Sequence, residues 1–456
     1  MQKILLYKIL AILALTLLIC VPMMMIEHTV RDRSNFRQQA VASVSAESVR
    51  EQTVIGPVMV IHYVDDFDDP VMNDKSGKLE NVPRSIPRRM FVFPNTLAVS
   101  GNIDTSRRYR GIHQVLMYNG QYALSGDFQM PALATFPRHG ASSRLRIGRA
   151  QLSVGVADVR GIQDIPKVNW NGRQIEFEQG AGLTSMSSGL HADLGEVALD
   201  KPELVKFSFH LGLDGIERQH FSPVGKNNKF TLQSNWAHPQ FGGLFLPSMQ
   251  GRKITDKGFT VSWHISSLAT SAQRQLIALE EAEGEGDRAL ARLDRFNVGF
   301  IEPVNVYSMS ERATKYGLLF VVLTFGAFFV FEILKRLPIH PVQYLLVGLA
   351  LVLFFLLLLS LSEQIDFLLA YLIASGACIV LIGFYLSHVL RNWWRGIGFA
   401  SALTMLYGAL YGLLVSENNA LVLGSLLLFA VLAAVMVATR KVDWYQIGRG
   451  EPLTVA

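Results

Sequence analysis

Five long apolar runs fill the last third of the chain, at 316–334, 342–362, 365–387, 396–415 and 420–439. Each holds about the twenty residues that a helix needs to cross about 30 Å of hydrocarbon. A sixth run, 4–26, stands alone at the start, and the stretch between, 27–312, is polar and far too long for a loop. The pattern predicts a membrane α-helical bundle of six transmembrane helices, one N-terminal and five C-terminal, plus a large domain outside the bilayer. The expected divisions are an anchor over 1–26, the outer domain over 27–312, a five-helix bundle over 313–441 and a tail over 442–456.

Inside 27–312 the period changes. Segments 54–64 (VIGPVMVIHYV), 89–93, 97–103, 114–118, 144–157 and 204–213 are rich in Val, Ile, Phe and Tyr with partial alternation, and 230–236, 258–265 and 297–307 continue it. Asn119-Gly120 and Asn171-Gly172 both predict hairpin turns. Amphipathic helices are expected only near 40–51 and 268–283. The domain therefore reads as mainly β, a sandwich or a large twisted sheet, with room for two subdomains and a break near 160–200. Two stretches read as loops. One is 65–78 (DDFDDPVMNDKSGK), an acidic hairpin tip whose carboxylate spacing does not match an EF-hand. The other is 282–288 (AEGEGDR), a charged Gly-rich linker.

Charge orients the spans. The chain carries 42 Lys and Arg against 37 Asp and Glu, a net +5, and 27–312 holds 32 and 31 of them. The excess thus belongs to the ends of the membrane runs, not to a basic surface of the kind that binds nucleic acid. Lys335 and Arg336, Arg391 and Arg395, and Arg440 and Lys441 flank the runs on one side; Glu363, Asp366 and Glu417 flank them on the other. By the positive-inside rule the basic side is cytoplasmic. Six spans then leave both termini in the cytoplasm and 27–312 on the far side. The first run has a basic start at Lys3 and Lys8, but 20–25 (CVPMMM) offers no small-x-small cleavage site, so it reads as an uncleaved anchor.

Composition removes several kinds of chemistry. Cys20 and Cys378, the two cysteines, both lie inside apolar runs, so disulfides and thiol catalysis are excluded from 27–312. No G-x-S-x-G, Walker A, H-E-x-x-H or C-x-x-C occurs. Nine of the eleven histidines lie in 27–312 without a close ligand pair, and His238 and His264 read as structural or surface groups. Ionisable residues of the apolar third gather at run ends (Lys315, Glu332, Glu363, Asp366, His388, Glu417), whereas transport machinery keeps such groups at mid-span. Glu332 is the nearest to burial, with Lys335 one turn on as its expected partner. Gly326, Gly348, Ser375, Gly376, Gly383 and Gly412 read as helix-packing contacts, and Trp393-Trp394 and Trp444-Tyr445 as interfacial belts. No catalytic, cofactor-binding or metal-ligating residue is assigned.

Several blocks share one likeness: 311–316 (ERATKY) running into 323–332 (LTFGAFFVFE), 340–349 (HPVQYLLVGL) continuing to 361–363 (LSE), Gly56-Pro57, 158–162 (DVRGI), 232–239 (LQSNWAHP) followed by 245–247 (FLP), and 443–445 (DWY). In order, and over nearly the whole chain, these resemble the signature stretches of the CreD family of bacterial inner-membrane proteins. The resemblance implies a Gram-negative inner-membrane protein of cell-envelope integrity, with 27–312 in the periplasm. It also implies a link to a two-component regulon and to tolerance of colicins and β-lactams. It brings no established activity, cofactor or catalytic residue, so no site residue is carried over from it.

Two clusters remain as candidates. Asn235, Trp236, His238, Pro239, Phe245 and Pro247, with Gly242 and Gly243 between them, form a dense aromatic turn that is either a packed corner between strands or a partner-binding surface. Arg312, Thr314, Lys315 and Tyr316 lie at the outer membrane–water boundary as interfacial anchors or as a clamp between domain and bundle. The functional expectation is a non-enzymatic envelope-integrity protein whose β domain contacts envelope partners or lipids. Its expected partners are the bilayer and an envelope protein or a second copy of the chain. A transporter component would instead need a polar path through the bundle, and an envelope hydrolase would need a cleft with carboxylates or an activated Ser.

Overall fold

The computed structural model describes every residue except Met1, 73–78, 112, 198, 200–202, 283–291, 301–305, 336–338, 390–392, 417–419 and 441–456. It divides into a membrane unit, Met1–Gln38 with Pro303–Ala456, and a β unit, Gln39–Glu302. The first helix, α1 (Gln2–Glu47), runs unbroken for 46 residues, so the apolar run 4–26 and the helix expected at 40–51 are one element. The sequence turns polar after Ile26, but an apolar stripe persists. Ile19, Met23, Ile26 and Val30 recur at helical spacing, and all are buried in the membrane unit. The β unit accordingly begins at Gln39 instead of 27, and it ends at Glu302 instead of 312.

The β unit is a sandwich of two mixed sheets. One runs β13 (Pro239–Gly243), β16 (Phe296–Phe300), β11 (Arg218–Ser222), β1 (Gln52–Met72), β5 (Arg144–Val156), β9 (Gly189–Glu196) and β8 (Glu178–Gln179), with β2 (Leu79–Val92) paired to the outer part of β1. The other runs β14 (Lys253–Thr255), β15 (Gly258–Ser266), β12 (Asn227–Ser234), β3 (Thr96–Arg110), β4 (His113–Gln129), β10 (Leu204–Ile216), β6 (Lys167–Trp170) and β7 (Arg173–Glu176). The centres of the two sheets follow the same plan. An antiparallel pair, β16–β11 or β15–β12, joins through its inner strand in parallel to β1 or β3, and two antiparallel neighbours follow.

Side chains from both sheets share one core. Tyr122 of β4 meets Phe221 of β11 at 5.4 Å between ring centres, and Phe230 of β12 and Trp263 of β15 meet Phe296 of β16 at 4.8 and 4.6 Å. Among the described residues, the break expected near 160–200 is absent. That stretch gives β6 and β7 to one sheet and β8 and β9 to the other, and all of Gln39–Glu302 remains one unit. The helix expected at 268–283 is α2 (Ala272–Glu281); the proposed linker beyond it falls largely outside the described residues.

The two expected hairpin turns part company. Asn171 (φ 49°) and Gly172 (φ 91°) do join β6 to β7, with Trp170 opposite Arg173, the left-handed pair that a type I′ turn requires. Asn119 and Gly120 instead sit in the middle of β4. Gly120 serves packing: a Cβ there would lie 2.3 Å from the Tyr122 hydroxyl, which crosses it. Asn119 donates its amide to Asp214 at 2.9 Å. The β3–β4 hairpin reverses at Gly111 (φ 61°), where Arg110 faces His113.

Nor is 65–72 a loop. β1 continues to Met72 against β2, and its carboxylates Asp65, Asp66 and Asp69 have arginine partners. Asp65 is fully buried, lies 3.2 Å from Arg88 and accepts the His139 N–H at 2.7 Å. Asp66 takes the Arg146 guanidinium at 2.5 Å and the Ser85 hydroxyl at 2.5 Å. Those two donors hold its carboxyl down to about 2.

In the membrane unit, α3 (Val306–Lys335), α4 (Pro341–Ser362), α5 (Phe367–Val389), α6 (Trp393–Val415) and α7 (Ala420–Thr439) follow the five apolar runs. With α1, four of these are long and apolar enough to span a bilayer, and α7 has a shorter apolar stretch, Leu421–Val437. Tyr407 of α6 lies at the centre, 4.6 Å from Phe320 of α3 and 4.7 Å from Phe354 of α4. Of the small residues read as contacts, Gly348 lets Phe325 and Ile19 approach, and Gly383 faces Ala400. Gly326, Gly376 and Gly412 face open space. Gly317, against Met23 and Phe355, is a close contact that the sequence reading passed over.

Candidate functional site

The aromatic turn is built as a braced corner between the sheets. Leaving β12, the Ser234 hydroxyl accepts the Trp236 N–H at 3.2 Å, and the Asn235 side-chain Oδ1 accepts both the backbone N–H and the hydroxyl of Thr105 at 3.0 Å. The Trp236 indole donates to the His238 carbonyl at 3.1 Å, and the Arg107 guanidinium lies 5.7 Å from its ring centre. Pro239 opens β13, an edge strand on β16, where the missing N–H costs no ladder bond. Phe241 packs 5.8 Å from both Phe259 and Trp263.

Gly243 then turns the chain outward at φ 88°; a Cβ there would lie 2.3 Å from the Arg295 carbonyl oxygen. Beyond it the side chains alternate. Phe245 packs on the core, and its carbonyl accepts the Trp263 indole at 3.2 Å, while Pro247 is buried. Leu244, Leu246 and Met249 point out, 66, 71 and 87% exposed. Asn235, Trp236, His238 and Pro239 stay together at the β12–β13 connection, and Phe245 and Pro247 follow β13. Trp236 and Phe245 brace the corner, whereas the apolar ridge it presents consists of three residues that the sequence reading did not single out. The signal for Leu244 and Leu246 was available as the alternation L-F-L-P over 244–247; Met249, in the 3-10 turn Met249–Gly251, falls outside it.

The second cluster lies on the first turns of α3. Thr314 is buried and donates its hydroxyl to the Glu311 carbonyl at 2.9 Å, Lys315 pairs with Glu311 at 2.9 Å, and Tyr316 packs on the bundle core. Arg312 is half-buried beside them. At the other end of α3, Glu332 is buried, and its described partners are Lys8 of α1, the Tyr344 hydroxyl of α4 at 2.8 Å and the Ile339 N–H at 3.2 Å. The expected Lys335 side chain lies outside the described residues.

Other family-like blocks resolve into local architecture. In 340–344 the His340 ring nitrogen accepts the Val342 N–H at 3.3 Å, the Gln343 side chain accepts the His340 N–H at 3.1 Å, and Pro341 opens the helix. In 158–162 the Arg160 guanidinium donates to the Ser45 and Ala46 carbonyls at 3.2 and 2.7 Å and to Asp158 at 2.6 Å, so it satisfies the end of α1. Burial pushes the Asp158 carboxyl up, but the Arg160 side chain and backbone N–H outweigh it and hold it below the usual range.

Among the described residues, no group of three His, Cys, Asp or Glu could hold a metal. The carboxyls of the β unit with a resolved shift, Glu47, Glu51, Asp66, Asp158, Glu176, Glu280 and Asp294, are all held below their usual range, the opposite of a general acid. His220 pairs with Glu51 at 3.3 Å, and the nearby Ser222 hydroxyl is bonded to the Asp294 carbonyl.

Fold and site together define a multi-pass membrane protein that carries a β-sandwich between its first and second spans. The family model described as Inner membrane protein CreD matches residues 4–445. The chain is also 34% identical over 442 residues to the Inner membrane protein CreD of Escherichia coli (strain K12), covering 96% of this chain and 93% of that protein. The chain belongs to the CreD family.

Proposed function

We propose that the protein is a non-catalytic envelope-integrity component. Its six spans hold the β-sandwich on the periplasmic side, both termini are cytoplasmic, and the sandwich docks an envelope protein through the ridge Leu244, Leu246 and Met249. The ridge itself carries this reading: three large apolar side chains stand exposed on a corner whose aromatic residues Trp236, Phe241 and Phe245 are each held by a neighbour. Exposed apolar clusters on an otherwise well-packed surface mark interaction sites. The distribution of Lys and Arg about the spans supports the orientation. A transport role is disfavoured because buried polar groups in mid-bundle close on near neighbours: Thr324 and Ser375 bond their own helices, and Tyr371, Tyr407 and Cys378 bond across α5 and α6.

The test is complementation in cells lacking the protein. Leu246→Asp/Met249→Asp is expected to reach the membrane at the normal level yet fail to restore tolerance of envelope stress. Full restoration by that double variant overturns the reading.

A further inference from the structure

Between α3 and α6 lies a groove of about 410 Å³. Its floor is Thr324, Phe399 and Leu403, all buried, and its mouth is kept open by the exposed small residues Ala327, Gly398 and Ala402. A Cβ on Gly398 would meet nothing within 4 Å. The groove runs from Trp394, Arg395 and Phe331 at one end to Leu323 and Leu406 at the other. Eleven residues of α6 separate Arg395 from Leu406, which is about 16 Å of helix, close to half of the roughly 30 Å hydrocarbon core. The groove is therefore about one leaflet deep, with a guanidinium and an indole where the headgroups lie. Arg395 also sits in the first turn of α6, where the helix dipole favours an anion.

We propose that this groove is a binding site for one anionic phospholipid of the bilayer, with an acyl chain along Gly398 and Ala402 and the phosphate at Arg395. A trench open to hydrocarbon fills with the chains around it, and the charge at its end selects which lipid supplies the chain.

The full-length protein, delipidated in detergent and offered phosphatidylglycerol and phosphatidylcholine at equal concentration, is read by native mass spectrometry. The wild type is expected to retain a single phosphatidylglycerol with about fivefold preference, the worth of one basic side chain at an anionic surface. Arg395→Gln should bring the two lipids level. Gly398→Leu should lose both, and Gly412→Leu, on the same helix, facing open space and outside the groove, should change nothing. Equal retention of the two lipids by the wild type, or equal loss in Gly398→Leu and Gly412→Leu, overturns the proposal. Should Gly398→Leu fail to fold, phosphatidylglycerol brominated on its chain must quench the part of the fluorescence that Trp394→Phe removes. Absence of that quenching is equally fatal.

Discussion

In the β unit one buried carboxylate, Glu280 of α2, collects donors from two places: Arg89 of β2 at 3.0 Å, and the N–H groups and hydroxyls of Thr184 and Ser185. In the membrane unit Glu332 collects Lys8, Tyr344 and the Ile339 N–H, and so ties α1, α3 and the start of α4. The knots look alike, but their surroundings differ. The sandwich has a large apolar core that water itself drives together, so the Glu280 knot orients a loop on a core that already holds. In the bilayer, leaving lipid for helix gains no hydrophobic energy. The membrane unit therefore depends more on close approach, as at Gly317 and Gly348, and on polar ties such as Glu332.

The largest expected effect lies in the β unit. Glu280→Ala leaves Arg89 and the Thr184 and Ser185 groups without their acceptor, and should cost about 3–5 kcal/mol, the penalty for breaking a buried pair from one side. Thermal unfolding of the full chain followed by near-UV circular dichroism checks it. A loss under 1 kcal/mol would mean the loop is held by other contacts.

The same residue sharpens the comparison through pH. Burial raises the Glu280 carboxyl, but the Ser185 and Thr184 donors prevail and hold it low. A depressed folded-state value contributes stability that is fully present above the unfolded value of about 4.3 and is lost as pH falls toward the folded one. The β unit should therefore weaken on acidification below about pH 5, and Glu280→Gln should flatten part of that slope. An unchanged slope in the variant would assign it to other carboxyls.

In the membrane unit, Glu332→Ala should cost about 1–2 kcal/mol, the scale of a strong interhelical polar contact in lipid. Lys8→Met in the same chain should recover much of it by removing the stranded charge. Resistance to thermal aggregation in detergent reads both variants; no recovery would break the claim that Lys8 and Glu332 act as a pair. Smallest is Lys315→Ala, which removes an exposed i,i+4 pair with Glu311 and should change stability by no more than about 0.5 kcal/mol.

How much was legible in the sequence follows the same divide. Apolar runs read directly as membrane helices because the bilayer demands length and composition alone. The persistence of α1 to Glu47 was hidden because the stripe Ile19, Met23, Ile26, Val30 passes into a polar stretch where only one face is apolar. Strands were visible by alternation, yet Asn119-Gly120 misled. A glycine that yields space to a tyrosine ring and a glycine that turns the chain look identical in sequence, and only the partner strand tells them apart. At the candidate corner, aromatic density singled out Trp236 and Phe245, whose side chains and backbone brace the corner. Leu244 and Leu246 could be read from the alternation beyond Gly243, whereas the exposure of Met249 depends on the 3-10 turn Met249–Gly251, which no alternation announces.

The most direct test of the account is photocrosslinking in living cells, with a photoreactive residue placed in turn at Leu246, Met249 and Phe245. The account predicts the same discrete protein adduct from the two outward positions, none from Phe245, and loss of the adduct when Leu244→Asp is added. Adducts from Phe245 as strong as those from Leu246, or adducts only to lipid, would contradict it.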